Sequence, residues 1–263
     1  MVRRWMIVFV AVLMIVMPGT ASACAGFAMV MDSGKVLYQE NANVQEAPAS
    51  LTKVMTALLV IENGSLDARV TISDRAASVG ESSAGLQAGE VYTRKELLYG
   101  LLLPSGNDAA VALAESVAGS EGNFVHLMNA EAQRLGMTET HFSDASGLTA
   151  PGHYSSAHDL ALLTVAAMQY PESRKIVATQ AYYLPTTVNH GSHYWENLNL
   201  SFLTGYPGAE GVKTGWTTPA GHCVICAAKR GQVELVAVVL HMNSYSMACQ
   251  DAETLLDKYF GES

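Results

Sequence analysis

Three short stretches of this chain hold residue types that could act together on a substrate. Ser50-Leu51-Thr52-Lys53 places a hydroxyl and an amine three residues apart. On a helix, positions i and i+3 share a face, so the two groups can meet. An apolar surround penalises the charged ammonium and favours the free amine. A free amine can take the proton of Ser50 and turn that serine into a nucleophile. A serine at a helix start also has outward-pointing N–H groups around it, which can hold an oxyanion. The plainer reading is an N-cap serine followed by a lysine reaching for solvent. S-x-x-K arises by chance about once in a chain of this length at average composition, so it decides nothing alone.

Ser105-Gly106-Asn107 follows an apolar run and precedes a helix. Its hydroxyl and amide could relay a proton and hold a substrate carbonyl; Asn107 could equally be an ordinary helix cap. Lys213-Thr214-Gly215, followed by Trp216, lies before a pair of strands. Lys213 offers a fixed positive charge and Thr214 a hydroxyl to a carboxylate-bearing substrate. Gly215 lets a substrate come close to the backbone. The bland alternative is a polar turn, but the tripeptide arises by chance only about once in twenty such chains. All three motifs in one chain, in this order, make coincidence a poor account.

The elements around them fit such a site. Residues 50–62 predict a helix that is apolar on nearly every side, from Leu51 to Ile61, which belongs at the centre of a domain. Asn63-Gly64 stops it. Residues 75–170 lean helical: Thr93 and Glu96 stand at capping-box spacing, helices over 107–118 and 123–135 end at Gly119 and Gly136, and a loop around Pro151-Gly152 precedes a helix over 156–168. Residues 27–31 and 35–39 predict a hairpin. Tyr182–Leu184 and the stretch around Thr187-Val188 are strand candidates. Residues 221–229 and 233–241 predict a strand pair, and 246–260 a closing amphipathic helix. Strands thus come from both ends of the chain with helices between. The economical fold is α/β (α+β): one antiparallel sheet built from both termini, flanked by helices, with an α-rich subdomain over about 64–170.

The chain has 263 residues, of which 49% are hydrophobic and 15% charged, with a net charge of −9. It can bury a full core without disulfides or metal. The acidic balance gives no reason to bind nucleic acid. Part of the apolar excess sits at the start. Arg3-Arg4, the apolar run Trp5–Met17, Pro18-Gly19 and Ala21-Ser22-Ala23 follow the order of a secretory signal. We expect residues 1–23 to be a signal peptide and 24–263 a single catalytic domain, exported to the cell envelope, with no further C-terminal domain. Cleavage removes two arginines and no acid, taking the charge from −9 to −11. Cys24 would then lead the mature chain, where lipid attachment is one option, although Ala21 stands where lipoprotein signals favour Leu. Cys223 and Cys226 face opposite sides of a strand and cannot share a metal, so they read as core residues. His190 and His193 form H-x-x-H in a loop without a third ligand, a weak basis for zinc. Glu62, Glu90, Asp108 and Glu115 read as helix-face or cap acids.

With S-x-x-K, S-x-N and K-T-G in place, the sequence resembles the D-alanyl-D-alanine carboxypeptidases, the low-molecular-mass penicillin-binding proteins. The resemblance extends to residues 48–56, Leu86-Gln-Ala-Gly-Glu90, Ser105–Ala110, Gly152–Ser155 with Asp159-Leu160, and Gly211–Gly215. It implies the β-lactamase/transpeptidase-like fold and removal of the terminal D-alanine from peptidoglycan pentapeptides through a serine acyl-enzyme. It also implies β-lactams as covalent inhibitors and no cofactor. Carried over residue by residue, Ser50 attacks, Lys53 is the general base and Ser105 shuttles the proton, with Lys213 holding the local field. Asn107 binds the peptide carbonyl and Thr214 the terminal carboxylate. The N–H groups of Ser50 and Trp216 form the oxyanion hole.

Two departures stand out. Many members carry His after K-T-G, where this chain has Trp216; only the backbone is needed there. Many also carry a further β-rich domain ending in an amphipathic membrane helix, which we expect this protein to lack. Attachment to the membrane stays open between none, an uncleaved Trp5–Met17 segment and a lipidated Cys24. A D,D-endopeptidase, a β-lactamase of the same fold and a silent envelope binding module are the alternatives.

Overall fold

A computed structural model describes residues 24–261; the expected signal segment, 1–23, lies outside them. In chain order the elements are β1 (Ala25–Val30), β2 (Val36–Glu40), α1 (Lys53–Glu62), β3 (Arg69–Thr71), α2 (Asp74–Ala77), β4 (Val91–Thr93), α3 (Arg94–Leu102), α4 (Asn107–Ala118), α5 (Glu121–Arg134), α6 (Ala157–Ala167), α7 (Pro171–Val177), β5 (Ala181–Leu184), β6 (His193–Glu196), α8 (Leu200–Gly205), β7 (Ala209–Thr217), β8 (Gly221–Arg230), β9 (Val233–Met242) and α9 (Tyr245–Phe260).

The main sheet runs β2-β1-β9-β8-β7, antiparallel throughout. The first strand therefore lies against the last: Ala25 pairs with Leu240 and Val30 with Leu235. β8 and β9 are apolar on both faces because both faces are covered. Cys223, Ile225, Ala227, Val236, Val238 and Leu240 pack into the larger core, which contains α1. Val224, Cys226, Ala228, Leu235, Ala237 and Val239 pack the other way, against Phe202 of α8 and Ala248, Ala252 and Leu256 of α9. The expected opposition of Cys223 and Cys226 is thus realised. Burial pushes the Cys226 thiol well above the ordinary range and that of Cys223 up to about 12, so both behave as inert core side chains.

α1 is buried from Lys53 to Val60, as its apolar circumference requires. The helix α3 starts with the expected capping box, Thr93 and Glu96 each satisfying the other's backbone N–H. Ser156 caps α6, and Gly119, at φ 76°, ends α4.

Three local expectations change. Ser50 lies on a 3₁₀ turn, Ala49–Thr52, and the α-helix proper begins at Lys53. Lys213-Thr214-Gly215 lies inside edge strand β7 and not in a turn before the strand pair. Thr187-Val188 is not a strand: Thr187 N–H donates to the His190 carbonyl, and Thr187 Oγ1 accepts from Asn189 N–H. Turn hydrogen bonds outweigh the β-branched preference of two residues that have nothing to pack on. The partner of β5 is β6, with Tyr182 opposite Trp195. His193 is therefore a strand residue.

Candidate active site

The three motifs come from a turn, a loop and an edge strand, and they converge on one open cleft of about 220 Å³. Ser50, Ser82, Ser105, Leu198, Thr214, Gly215, Trp216, His222 and Tyr245 line it.

Lys53 is the first residue of α1 and is wholly buried. Its Nζ lies 2.9 Å from Ser50 Oγ, 2.7 Å from Asn107 Oδ1 and 2.7 Å from the Ser146 carbonyl. The last two can only accept, and a neutral amine has two N–H bonds to give them. The lone pair is then left for the hydroxyl of Ser50. Burial holds the amine well below the ordinary lysine range, and the nearby Lys213 charge adds to that; Asp144, Asp108 and Glu81 oppose it. The geometry sets a buried amine, whose charged form burial penalises, against a serine hydroxyl.

Asn107 opens α4 and is capped by Gly106, so it is no N-cap itself. Its Oδ1 accepts from Lys53 and its Nδ2 donates 3.0 Å to the Gly80 carbonyl. The amide nitrogen has a second N–H, so one donor remains for a substrate carbonyl. The oxygen serves the orientation of Lys53.

Ser105 does reach the cleft. Its Oγ is buried with no hydrogen-bond partner among the described residues, and its backbone is left-handed at φ 65°. Ala49, just before Ser50, is left-handed too, at φ 47°. Such conformations cost a non-glycine residue about 1–3 kcal/mol and gather at functional sites. The loop under Ser105 is held by Asp108, whose carboxylate accepts from the N–H groups of Ala84, Gly85 and Leu86 and from Ser83 Oγ. Trp195 Nε1 donates 2.8 Å to the Ala84 carbonyl from the other side.

Lys213 is buried, with Nζ donating 3.0 Å to the Thr214 carbonyl. Burial lowers it to about 7. Burial thus weakens, near neutral pH, the positive charge expected to attract a substrate carboxylate. Thr214 and Trp216 sit on the cleft, and the Trp216 ring is 58% exposed at its rim. The close approach that Gly215 allows is to protein: a Cβ there would stand 3.1 Å from Ser50 N, 3.2 Å from Ala49 Cβ and 3.2 Å from the Pro48 carbonyl. A side chain there would push β7 and the Ser50 turn apart by a few tenths of an ångström.

Residues outside the motifs complete the site. Asp144 Oδ1 accepts from Ser146 N–H at 2.7 Å, Ser146 Oγ at 2.9 Å and Gly147 N–H at 2.6 Å, shaping the turn that offers the Ser146 carbonyl to Lys53. His153 Nδ1 stands 3.3 Å from Asp144 Oδ2, and its Nε2 is 2.9 Å from Thr52 Oγ1. Thr56 Oγ1 donates to the Ala145 carbonyl. The Asp-x-Ser-Gly run at 144–147 is a turn signature that could have flagged this support. His190 and His193 pack on Tyr92, His190 stacked at 4.4 Å and His193 Nε2 2.7 Å from its hydroxyl.

Comparison with known proteins points the same way. The chain is 39% identical over 236 residues to the D-alanyl-D-alanine carboxypeptidase DacF of Bacillus subtilis, covering 88% of this chain and 60% of that protein. It is 37% identical over 257 residues to a D-alanyl-D-alanine carboxypeptidase of a Streptomyces species, covering 92% and 88%. Its fold superposes on the crystal structure of the Streptomyces K15 DD-transpeptidase with a TM-score of 0.85 at 35% identity, over 90% of this chain and 96% of that one. That likeness gives the α/β architecture above as the fold of these enzymes. The family model described as D-alanyl-D-alanine carboxypeptidase matches residues 14–244, motifs included, and to that family the chain belongs.

Proposed function

We propose that the protein is a serine-type D-Ala-D-Ala carboxypeptidase that trims the terminal D-alanine from peptidoglycan pentapeptides. The observation that carries this reading is the environment of Lys53: a buried amine, both of its N–H bonds taken by acceptors, 2.9 Å from Ser50 Oγ. Lys53 takes the Ser50 proton as Oγ attacks the scissile carbonyl. The oxyanion forms against the N–H groups of Ser50 and Trp216. Ser105 Oγ, unpartnered and facing the cleft, passes the proton to the leaving amine. Thr214 receives the terminal carboxylate, and water releases the acyl group from Ser50. Nothing in this sequence of steps calls on a metal or an organic cofactor. β-Lactams acylate the same serine and block it.

The substrate places the enzyme outside the cytoplasm, consistent with the secretory order of residues 1–23. The mature chain then starts at Cys24, which is exposed. Among the described residues no helix is long and apolar enough to cross a membrane. Residues 24–263 act as one catalytic domain in this reading.

Intact-mass analysis of the mature protein with benzylpenicillin, beside Ser50→Ala, tests the proposal. We expect a stable adduct on wild type only, and release of D-alanine from a pentapeptide. No adduct and no release would sink the enzyme reading in favour of a silent binding module. Fast drug turnover would identify a β-lactamase, and preference for cross-linked over monomeric muropeptides an endopeptidase.

A further inference from the structure

We infer that the imidazole of His222 receives the terminal carboxylate of the substrate, together with the Thr214 hydroxyl. This rests on the carboxypeptidase reading, which supplies a substrate ending in a carboxylate. One residue separates that carboxylate from the carbonyl attacked by Ser50, a span of about 3.8 Å between successive Cα atoms. Its subsite must therefore adjoin Ser50, within the same cleft.

Of the nine residues lining the cleft, His222 alone can carry a positive charge; none is Asp, Glu, Lys or Arg. The two lysines of the motifs are buried behind the surface and already engaged: Lys53 with Ser50, Asn107 and Ser146, Lys213 with the Thr214 carbonyl. A carboxylate arriving in the cleft meets neither directly.

The strand register puts His222 where it is needed. In β7 and β8, Trp216 pairs with His222 and Thr214 with Val224. Alternate residues of a strand share a face, and directly paired residues lie side by side on it. Thr214, Trp216 and His222 thus occupy one face, while Gly215 between them turns towards Ser50. The His222 ring lies 6.1 Å from the Trp216 ring at 41°. It makes no hydrogen bond or ion pair with any described residue. The neighbouring polar group, Tyr245 Oη, is occupied: it donates 2.9 Å to Asn199 Oδ1 and lies 3.1 Å from Ser201 Oγ. An imidazole with an unused N–H, diagonal to Thr214 on the same face and lining the same cleft, is a fit for a planar anion, and hydrogen bonds to charged groups are the stronger kind.

The test compares diacetyl-L-Lys-D-Ala-D-Ala with the same peptide ending in a C-terminal amide. The quantity read is the ratio of kcat/KM for acid over amide, by release of D-alanine or D-alaninamide. This ratio does not depend on how much of a variant is folded. Wild type should favour the acid by about tenfold or more, the worth of one hydrogen bond to a charged group. His222→Gln should lower the ratio severalfold, through loss on the acid alone, leaving only the share that Thr214 holds, and His222→Arg should restore it. A His222→Gln enzyme that keeps the wild-type ratio overturns the assignment while leaving the carboxypeptidase reading intact. Wild-type protein that releases nothing and forms no penicillin adduct overturns both.

Discussion

The main-chain carbonyl of Ser146 accepts a hydrogen bond from Lys53 Nζ at 2.7 Å, although 93 residues separate the two. A carbonyl is an acceptor whatever the pH, so it fixes one N–H of the amine and helps aim the lone pair at Ser50. Asp144 sets the turn that presents it.

Asp144→Ala should therefore slow acylation of Ser50 by roughly tenfold, one hydrogen bond's worth of orientation, measured with a fluorescent penicillin. It should also change stability. Burial alone would raise this carboxyl, but His153 and the N–H groups of Ser146 and Gly147 hold it down to about 2. A depressed carboxyl stabilises the fold above its unfolded value near 3.8 and loses that contribution as pH falls through about 2. The contribution is about 2 kcal/mol. Urea unfolding between pH 5 and pH 2 should show a steeper loss in wild type than in the variant.

Lys213 helps to keep Lys53 neutral through its charge. Acylation should rise with pH along a limb that reports loss of the Lys53 proton. Lys213→Gln removes a like charge, so Lys53 holds its proton to higher pH and the limb moves up. The displacement should be confined to the range below about 7, where wild-type Lys213 is charged. Stopped-flow acylation across pH 5–9 checks it. A limb that stays in place would detach Lys213 from the base.

The same burial has a thermodynamic side. Unfolded, Lys213 keeps its proton up to about 10.4; folded, it loses it near 7. Between those values the unfolded chain binds more protons, so this residue makes stability rise with pH from about 7 towards 10. Replacing buried charged groups by well-packed apolar ones commonly gains about 1–4 kcal/mol. Lys213→Met should accordingly be inactive yet melt higher at pH 7, and show a flatter dependence of melting temperature on pH.

Gly215→Ala tests the contact between β7 and the Ser50 turn. The added carbon meets Ser50 N at 3.1 Å and Ala49 Cβ at 3.2 Å, so strand and turn must part by a few tenths of an ångström. Overpacking of this kind costs about 1–3 kcal/mol. Acylation should fall by more than the stability loss accounts for, because the oxyanion donors on Ser50 and Trp216 move apart. Equal acylation in a folded Gly215→Ala variant would show that the spacing is not critical.

The parts of this site that could be read in advance are those written in side-chain types. Ser50 and Lys53 were legible because i, i+3 spacing and an apolar helix dictate both contact and desolvation. The sheet from both termini followed from where the β-rich runs fall. What stayed hidden was main chain and context. The Ser146 carbonyl has no residue signature, since every residue has one. Lys213 looks like a free cation until the strand that carries it is seen to be covered. Asn107 offers an amide that the sequence could assign to substrate, and only the fold shows that its oxygen also orients Lys53 while Gly80 takes one of its N–H groups. The strand expected at Thr187-Val188 failed for a related reason: β-branched residues favour strands only where something packs on them, and Val188 is fully exposed.

The pairing of β1 with β9 bears on how the enzyme comes into being. Ala25 and Leu240, far apart along the described chain, stand opposite each other in the sheet. Closing a loop of that length costs on the order of 5 kcal/mol in chain entropy before any contact is made. High contact order of this sort slows folding. During synthesis, Ser50 emerges early, but the sheet cannot close and Lys213 cannot meet Lys53 until the last strands are released. No fragment that ends before β9 has the closed sheet on which the site is built.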